Sequence, residues 1–246
     1  MKVLVTLNLV CSGVLAAFPV SAAITVDING QTVQFDANPR LAEVLAPVAL
    51  QQSWYWPAAA LYKKNGDTAE QQRLQVLQMV NALKQHYAAD MDLLNALQSV
   101  ERQVGSWTLA ERIVMPVDYD LARILPQHNP RLTDGHYLLQ LTKRPQNIYV
   151  FGAVDYADAI VHRGAATVAE YISAAKLASA ADTEQISIVQ PDGTIQSAGT
   201  EYWNQTHTEA MPGAQLFIPF KTALFNSQLD ELNKRLPELA IHRVLP

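Results

Sequence analysis

A break at residues 143–154 (KRPQNIYVFGAV) constrains the fold more than any other stretch, because two similar runs of pattern meet there. Upstream, Thr133-Asp134-Gly135 is a turn, and residues 137–141 (YLLQL) read as a strand that closes a unit. Downstream, residues 147–151 (NIYVF) are β-branched and aromatic and open a new one, halted by Gly152. Arg144-Pro145 marks the boundary, since proline lacks a ladder N–H and restricts the residue before it. Only Gln146 and Asn147 separate Pro145 from the apolar run at Ile148, so the two units are expected to sit in close contact.

Each unit carries mixed signals. Residues 24–28 (ITVDI) and 31–35 (QTVQF) flank Asn29-Gly30, which supplies the two positive-φ positions of a type I′ hairpin. Residues 41–50 follow as a short apolar helix or turn, and hairpin followed by helix is the opening of a β-grasp, a sheet wrapped on one helix. Residues 68–104 differ in kind. Thr68-Ala69-Glu70-Gln71 has the form of a capping box. Val76, Val80, Leu83 and Tyr87, then Leu93, Leu97, Val100 and Val104, recur at helical spacing about a joint at Ala88-Ala89-Asp90. This predicts an antiparallel helical hairpin inserted in the first unit. Strand character resumes over 111–125, where Val117, Tyr119 and Leu121 alternate with Asp118, Asp120 and Ala122. Alternation accounts for the two acids as a solvated face more economically than catalysis does.

Past the break, the order reads strand, a loop through Gly164, a helix over 167–175, a hairpin about Pro191-Asp192-Gly193, and a last strand at 215–220. Phe225, Leu229, Leu232, Leu236 and Leu239 then line one face of a terminal helix that Ser227 caps and Pro237 kinks or stops. A run of about 10 residues is about 15 Å long, half a hydrocarbon core. Membrane contact through this helix is therefore at most peripheral. The fold expected is α+β: a first β-grasp domain over 24–143 with the hairpin insert at 68–104, a second over 144–220, and the amphipathic helix in 221–246.

Residues 1–23 have the form of a signal peptide: Lys2, an apolar run from Val3 to Val20, then Ser21-Ala22-Ala23 for cleavage after Ala22 or Ala23. The single cysteine, Cys11, falls inside this segment, which leaves the exported chain without thiol chemistry. With 18 basic against 23 acidic residues there is no nucleic-acid footprint.

No G-x-S-x-G, H-E-x-x-H, P-loop or G-x-G-x-x-G occurs. His207-Thr208-Glu209 is too short for a metal or acid–base site. No cofactor and no metal is expected, nor an enzymatic activity. Two features remain as ligand candidates. Trp54-Tyr55-Trp56 is either a packed anchor or a platform for stacking on sugar rings. Arg112 sits between Trp107 and the apolar run 113–115, and a buried guanidinium there needs acceptors for five donors.

These motifs carry a resemblance. Residues 147–154, 167–175, 186–193 and 212–219 (PGAQLFIP) look like the soluble-ligand-binding β-grasp (SLBB) domain of Wza-type polysaccharide exporters. With Trp54-Tyr55-Trp56-Pro57, the helical insert and Arg144-Pro145, the chain resembles the capsule-biosynthesis GfcC family. The resemblance implies two tandem β-grasp domains and a periplasmic accessory protein of capsule or exopolysaccharide assembly. Such a protein acts as a monomer that binds glycan or the export machinery. It also places Arg112 near a ligand cleft, although Glu111 stands where the family has glycine. The competing reading is a periplasmic enzyme that modifies the polysaccharide, using a carboxylate near Arg112.

Overall fold

The computed structural model describes residues 24–133, 135–204, 206, 208–222 and 227–246, without the side chain of Ser227. The signal-like segment, His207, Phe225 and the Ser227 cap lie outside the described residues.

Strands β1 (Ile24–Ile28) and β2 (Gln31–Phe35) pair antiparallel across Asn29 and Gly30, whose φ angles are +47° and +89°. These are the positive values that a type I′ turn requires, and glycine and asparagine tolerate them best. The Asn29 side chain also accepts from the Leu141 N–H at 2.9 Å and donates to its carbonyl at 2.8 Å. The turn is thereby tied to the end of the closing strand, 112 residues away in sequence. Helix α1 (Leu41–Ala49) follows and buries Leu41, Val44, Leu45 and Val48. Strands β3 (Ala60–Lys63), β4 (Glu111–Ile113) and β5 (His136–Gln140) complete a five-stranded sheet in the order β2-β1-β5-β3-β4, with β1 and β5 parallel.

The second sheet repeats this plan, with helix α5 (Val168–Ala174) between its second and third strands burying Val168, Tyr171 and Ile172. Strands β6 (Asn147–Gly152), β7 (Asp158–Val161), β8 (Gln185–Val189), β9 (Ile195–Gly199) and β10 (Gln215–Ile218) take the order β7-β6-β10-β8-β9. Counted from its own first strand, each sheet reads 2-1-5-3-4, with the first and last strands parallel at the centre. That is the β-grasp arrangement, present twice in tandem.

Helices α2 (Thr68–His86) and α3 (Met91–Ser106) interrupt the first sheet between β3 and β4. The second sheet makes the equivalent turn, between β8 and β9, with Pro191-Asp192-Gly193 and its neighbours. In space the hairpin belongs with the second sheet. Val76, Val80, Leu83, Leu97, Val100 and Val104 share one apolar core with Phe151, Phe217 and α6 (Ser227–Ala240), whereas the first sheet has a core of its own around Ile24, Leu45 and Leu139. The contact is specific. The buried Gln103 amide donates to the Gly152 carbonyl at 3.1 Å and accepts from the Gly152 N–H at 2.9 Å. The Gly152 N–H is satisfied this way, and the carbonyl accepts from the Val154 N–H at 2.8 Å as well, since buried peptide groups must be paired.

Four sequence expectations are corrected. The half-buried strand over 111–125 is real only at 111–113. Residues Tyr119–Ile124 form helix α4, because Asp118 accepts from the Leu121 N–H at 3.0 Å and caps a helix instead of continuing a ladder. The expected loop through Gly164 contains β7, an edge strand too exposed to show alternation. Thr68 does not act as a helix cap; Asp67 holds that position and the Thr68 hydroxyl donates to Glu111. Pro237 does not stop α6, which runs to Ala240. Leu236, Leu239 and Ala240 are fully buried, and Gln215 donates to the Ala240 carbonyl at 2.9 Å, so packing holds the last turn in place. Among the described residues no helix is long and apolar enough to cross a membrane.

One ion cluster fixes strand register in the first sheet. Asp27 on β1 accepts from Lys64 at 2.7 Å and Thr32 at 2.6 Å, and His136 on β5 lies 3.0 Å away. The hydrogen bond from Lys64 leads in lowering the Asp27 carboxyl from its ordinary 3.8 to about 2. A depressed folded-state value stabilises above pH 3.8 and is lost as pH falls through 2. Asp27→Asn is accordingly expected to lower the melting temperature at pH 7 and to flatten its dependence on pH between about 4 and 2. Equal acid sensitivity in wild type and variant would refute this role.

Candidate functional site

The junction between the two sheets is built from the ends of several elements. After α6 the chain returns to the first unit. His242 accepts from the Ala110 N–H at 3.0 Å, Val244 donates to Thr108 at 2.9 Å, and the His242 ring accepts from the Arg112 N–H at 3.0 Å. The seam itself is packed. The Arg144 guanidinium lies 5.4 Å from the Tyr55 ring centre, and Pro145 sits against Gly213, where a Cβ would approach its Cγ to 3.1 Å.

Two hollows lie along this junction. The inner one, about 50 Å³, is lined by Tyr62, Arg112, Gln140, Tyr149, Gln215 and Arg243, among others. A water needs about 10–15 Å³ of such space, so a few waters or one compact group fit and a sugar ring does not. Arg112 crosses it from β4 to the second unit, donating through Nη2 to the Pro191 carbonyl and lying 3.1 Å from where a Cβ would stand on Gly193. Gly193 has a φ of +91°, so the turn suits glycine twice over, in conformation and in space. Burial pulls the Arg112 guanidinium below its ordinary range, partly offset by Tyr62 and Asp192. Burial likewise raises the Tyr62 hydroxyl, against the pull of Arg112.

The outer hollow is larger, about 340 Å³, and mostly apolar. Trp56, Met115, Pro116 and Leu121 from the first unit face Asp192 and Thr194 from the second. Residues 114–118 form this wall because the chain leaves the sheet after β4 and does not pair again before α4. Both hollows share the turn at 191–194: Pro191 borders the inner one, Asp192 and Thr194 the outer.

The three sequence candidates are thus separated. Trp54 is a structural anchor: its Nε1 donates to the Val48 carbonyl at 2.8 Å and its ring packs on the first core. Trp56 lines the outer groove and Arg112 the inner cavity, on either side of one turn. Asp118 and Asp120 do not pair as catalytic acids: Asp118 caps α4, and Asp120 lies near Arg123 at 4.0 Å on the exposed first turn. Sequence reading missed Tyr62, Tyr149, Gln215 and Arg243. Tyr149 and Gln215 were visible only as strand residues of 147–154 and 212–219, Tyr62 and Arg243 stood in no motif, and the Pro191-Asp192-Gly193 turn was not visible as a wall of a site.

Comparison with known proteins agrees with this architecture. The family description "Capsule biosynthesis GfcC, N-terminal" matches residues 20–144, and "Capsule biosynthesis GfcC C-terminal" matches residues 157–245. The chain belongs to the GfcC capsule-biosynthesis family. The first match ends at residue 144, and the second begins at 157, beyond β6. A relative within reach is the uncharacterized protein YjbG of Escherichia coli (strain K12), 26% identical over 204 residues, which cover 83% of this chain and 82% of that protein.

Proposed function

We propose that this GfcC-family protein is a periplasmic accessory component of capsule or exopolysaccharide assembly and export, and that it acts by binding the glycan at the junction of its two domains. The observation that carries the reading is the outer groove. At about 340 Å³ it falls in the range of small-ligand sites, about 300–1,000 Å³. It combines a tryptophan with apolar walls and polar groups at one edge, the mixture that a sugar ring with its apolar face and hydroxyl rim requires. Family membership and the signal-like segment 1–23 support the location.

Binding suits the groove better than cleavage. Its two carboxylates are both engaged locally: Asp118 caps α4, and Asp192 accepts from the Thr194 N–H at 2.9 Å and hydroxyl at 2.7 Å. Deleting the gene is expected to change the amount or chain length of surface polysaccharide, restored by the wild-type gene. Surface polysaccharide unaltered in both respects would remove the proposed role.

A further inference from the structure

The groove beside Trp56 is rich in hydrocarbon and in hydrogen-bond acceptors, and poor in donors. Val114, Met115, Pro116 and Leu121 form its wall on the first unit, and Val114 and Leu121 are 56% and 37% exposed although both are aliphatic. Single exposed apolar residues are ordinary, but these adjoin one another along one hollow of about 340 Å³. Polar side chains enter only as Asp118, Asp192 and Thr194. Asp118 accepts through Oδ1 from the Leu121 N–H, and Asp192 accepts through Oδ1 from both the N–H and the hydroxyl of Thr194. A carboxylate has about four acceptor positions and no donor, so both acids keep acceptor capacity while the Thr194 proton is already committed. Among the described residues no lysine, arginine, histidine, asparagine or glutamine lines this groove, which leaves the Trp56 indole as its one side-chain N–H. Arg112 and Asp192 attract one another, but Arg112 lines the inner hollow and not this one.

These properties sort sugars by their substituents. A carboxylate brings charge to a place with two acids and no cation. An N-acetyl group brings a carbonyl acceptor where donors are scarce. A protonated amine suits the acids but not the aliphatic wall. Ring hydroxyls can donate to the two aspartates. A hydroxymethyl arm laid on Val114, Met115 or Leu121 strands its hydroxyl against hydrocarbon, and a methyl in the same place does not.

We propose that the Trp56 groove selects a neutral 6-deoxyhexose, with its ring against the indole, its C6 methyl on the aliphatic wall and its hydroxyls donating to Asp118 and Asp192. This rests on the glycan-binding reading above and names its ligand class.

The test compares fucose, galactose and galacturonate of the same hand, which share a ring and differ at C6 as methyl, hydroxymethyl and carboxylate. Rhamnose against mannose is a second pair, and galactosamine supplies the amine. Ligand-observed NMR on the purified protein ranks them. Protein isotope-labelled at its methionine methyl groups locates the sugar through Met115, whose signal is assigned by its loss in Met115→Leu. In at least one pair the 6-deoxy sugar is expected to bind about tenfold more tightly than its parent and to shift the Met115 signal. Galacturonate is expected not to displace it. Val114→Asn, a change at an exposed wall position, is expected to fold and to bring the ratio of deoxy sugar to parent near one. Equal binding within both pairs, or galacturonate or galactosamine binding more tightly than fucose and rhamnose, overturns the assignment. A preference that persists in Val114→Asn without a shift at Met115 does the same. If none of these sugars binds while an oligosaccharide of the native capsule does, the deoxy-sugar assignment falls and the glycan-binding reading stands. If that oligosaccharide fails to bind while the deoxy sugar still shifts Met115, the capsular ligand falls and the deoxy-sugar site remains.

Discussion

Gln103→Leu is expected to destabilise the protein by about 1–3 kcal/mol, because it strands a buried main-chain N–H. Leucine nearly matches glutamine in shape, so little of the loss comes from volume. The group concerned is the N–H of Gly152, which donates to the Gln103 amide oxygen; the Gly152 carbonyl loses one of two donors but keeps the Val154 N–H at 2.8 Å. Gly152 has no room to compensate. Its φ is +103°, and a Cβ there would stand 2.3 Å from the Ile218 carbonyl oxygen. Because the hairpin that carries Gln103 interrupts the first sheet yet packs on the second, the loss is expected to reach the whole chain. Urea unfolding followed by tryptophan fluorescence and by far-UV circular dichroism should shift together. The exposed Gln78→Leu on the same hairpin serves as control and should leave stability within about 0.5 kcal/mol of wild type. A Gln103→Leu protein as stable as that control would mean that the hairpin is not fastened to the second unit through this amide.

Trp56→Ala should weaken glycan binding by about 30-fold, the scale of a truncated tryptophan hot spot near 2 kcal/mol. Trp56 also packs partly on the first core, so some stability will be lost with it. Thr194→Trp separates the two effects. It fills the groove from the exposed side of the second unit, leaves Trp56 in place, and is expected to weaken binding comparably while the melting temperature holds. Calorimetric titration with the purified capsular polysaccharide reads both. Full affinity in Thr194→Trp would show that the groove is not occupied by the ligand.

What the sequence disclosed followed the strength of local rules. Asn29-Gly30 has few other uses than a tight turn, and the heptad-like spacing of Val76, Val80 and Leu83 announces a helix wherever it occurs. The same spacing says only that a face is buried, not against what. The partner of α2 and α3 therefore came from tertiary packing alone. Strand β7 was invisible because an edge strand with exposed side chains has no alternation to read. The stretch around Asp118 misled because alternation over five residues fits a strand and a capped helical turn alike. In the site, Arg112 stood out as a charge in an apolar run. Arg243 did not, since a basic residue after a helix is ordinary until the chain is seen to turn back. Trp54 and Trp56 lie two residues apart with the same composition around them, and only the hydrogen bond to Val48 assigns one to the core and leaves the other to the groove.

The most direct measurement is a crystal structure of the protein with an oligosaccharide cut from its own capsule. A sugar ring is expected against Trp56, between Pro116 and Thr194, with both domains in contact with one ligand. A saccharide bound on the helical hairpin or on the outer face of one sheet, with this groove empty, would contradict binding at the domain junction.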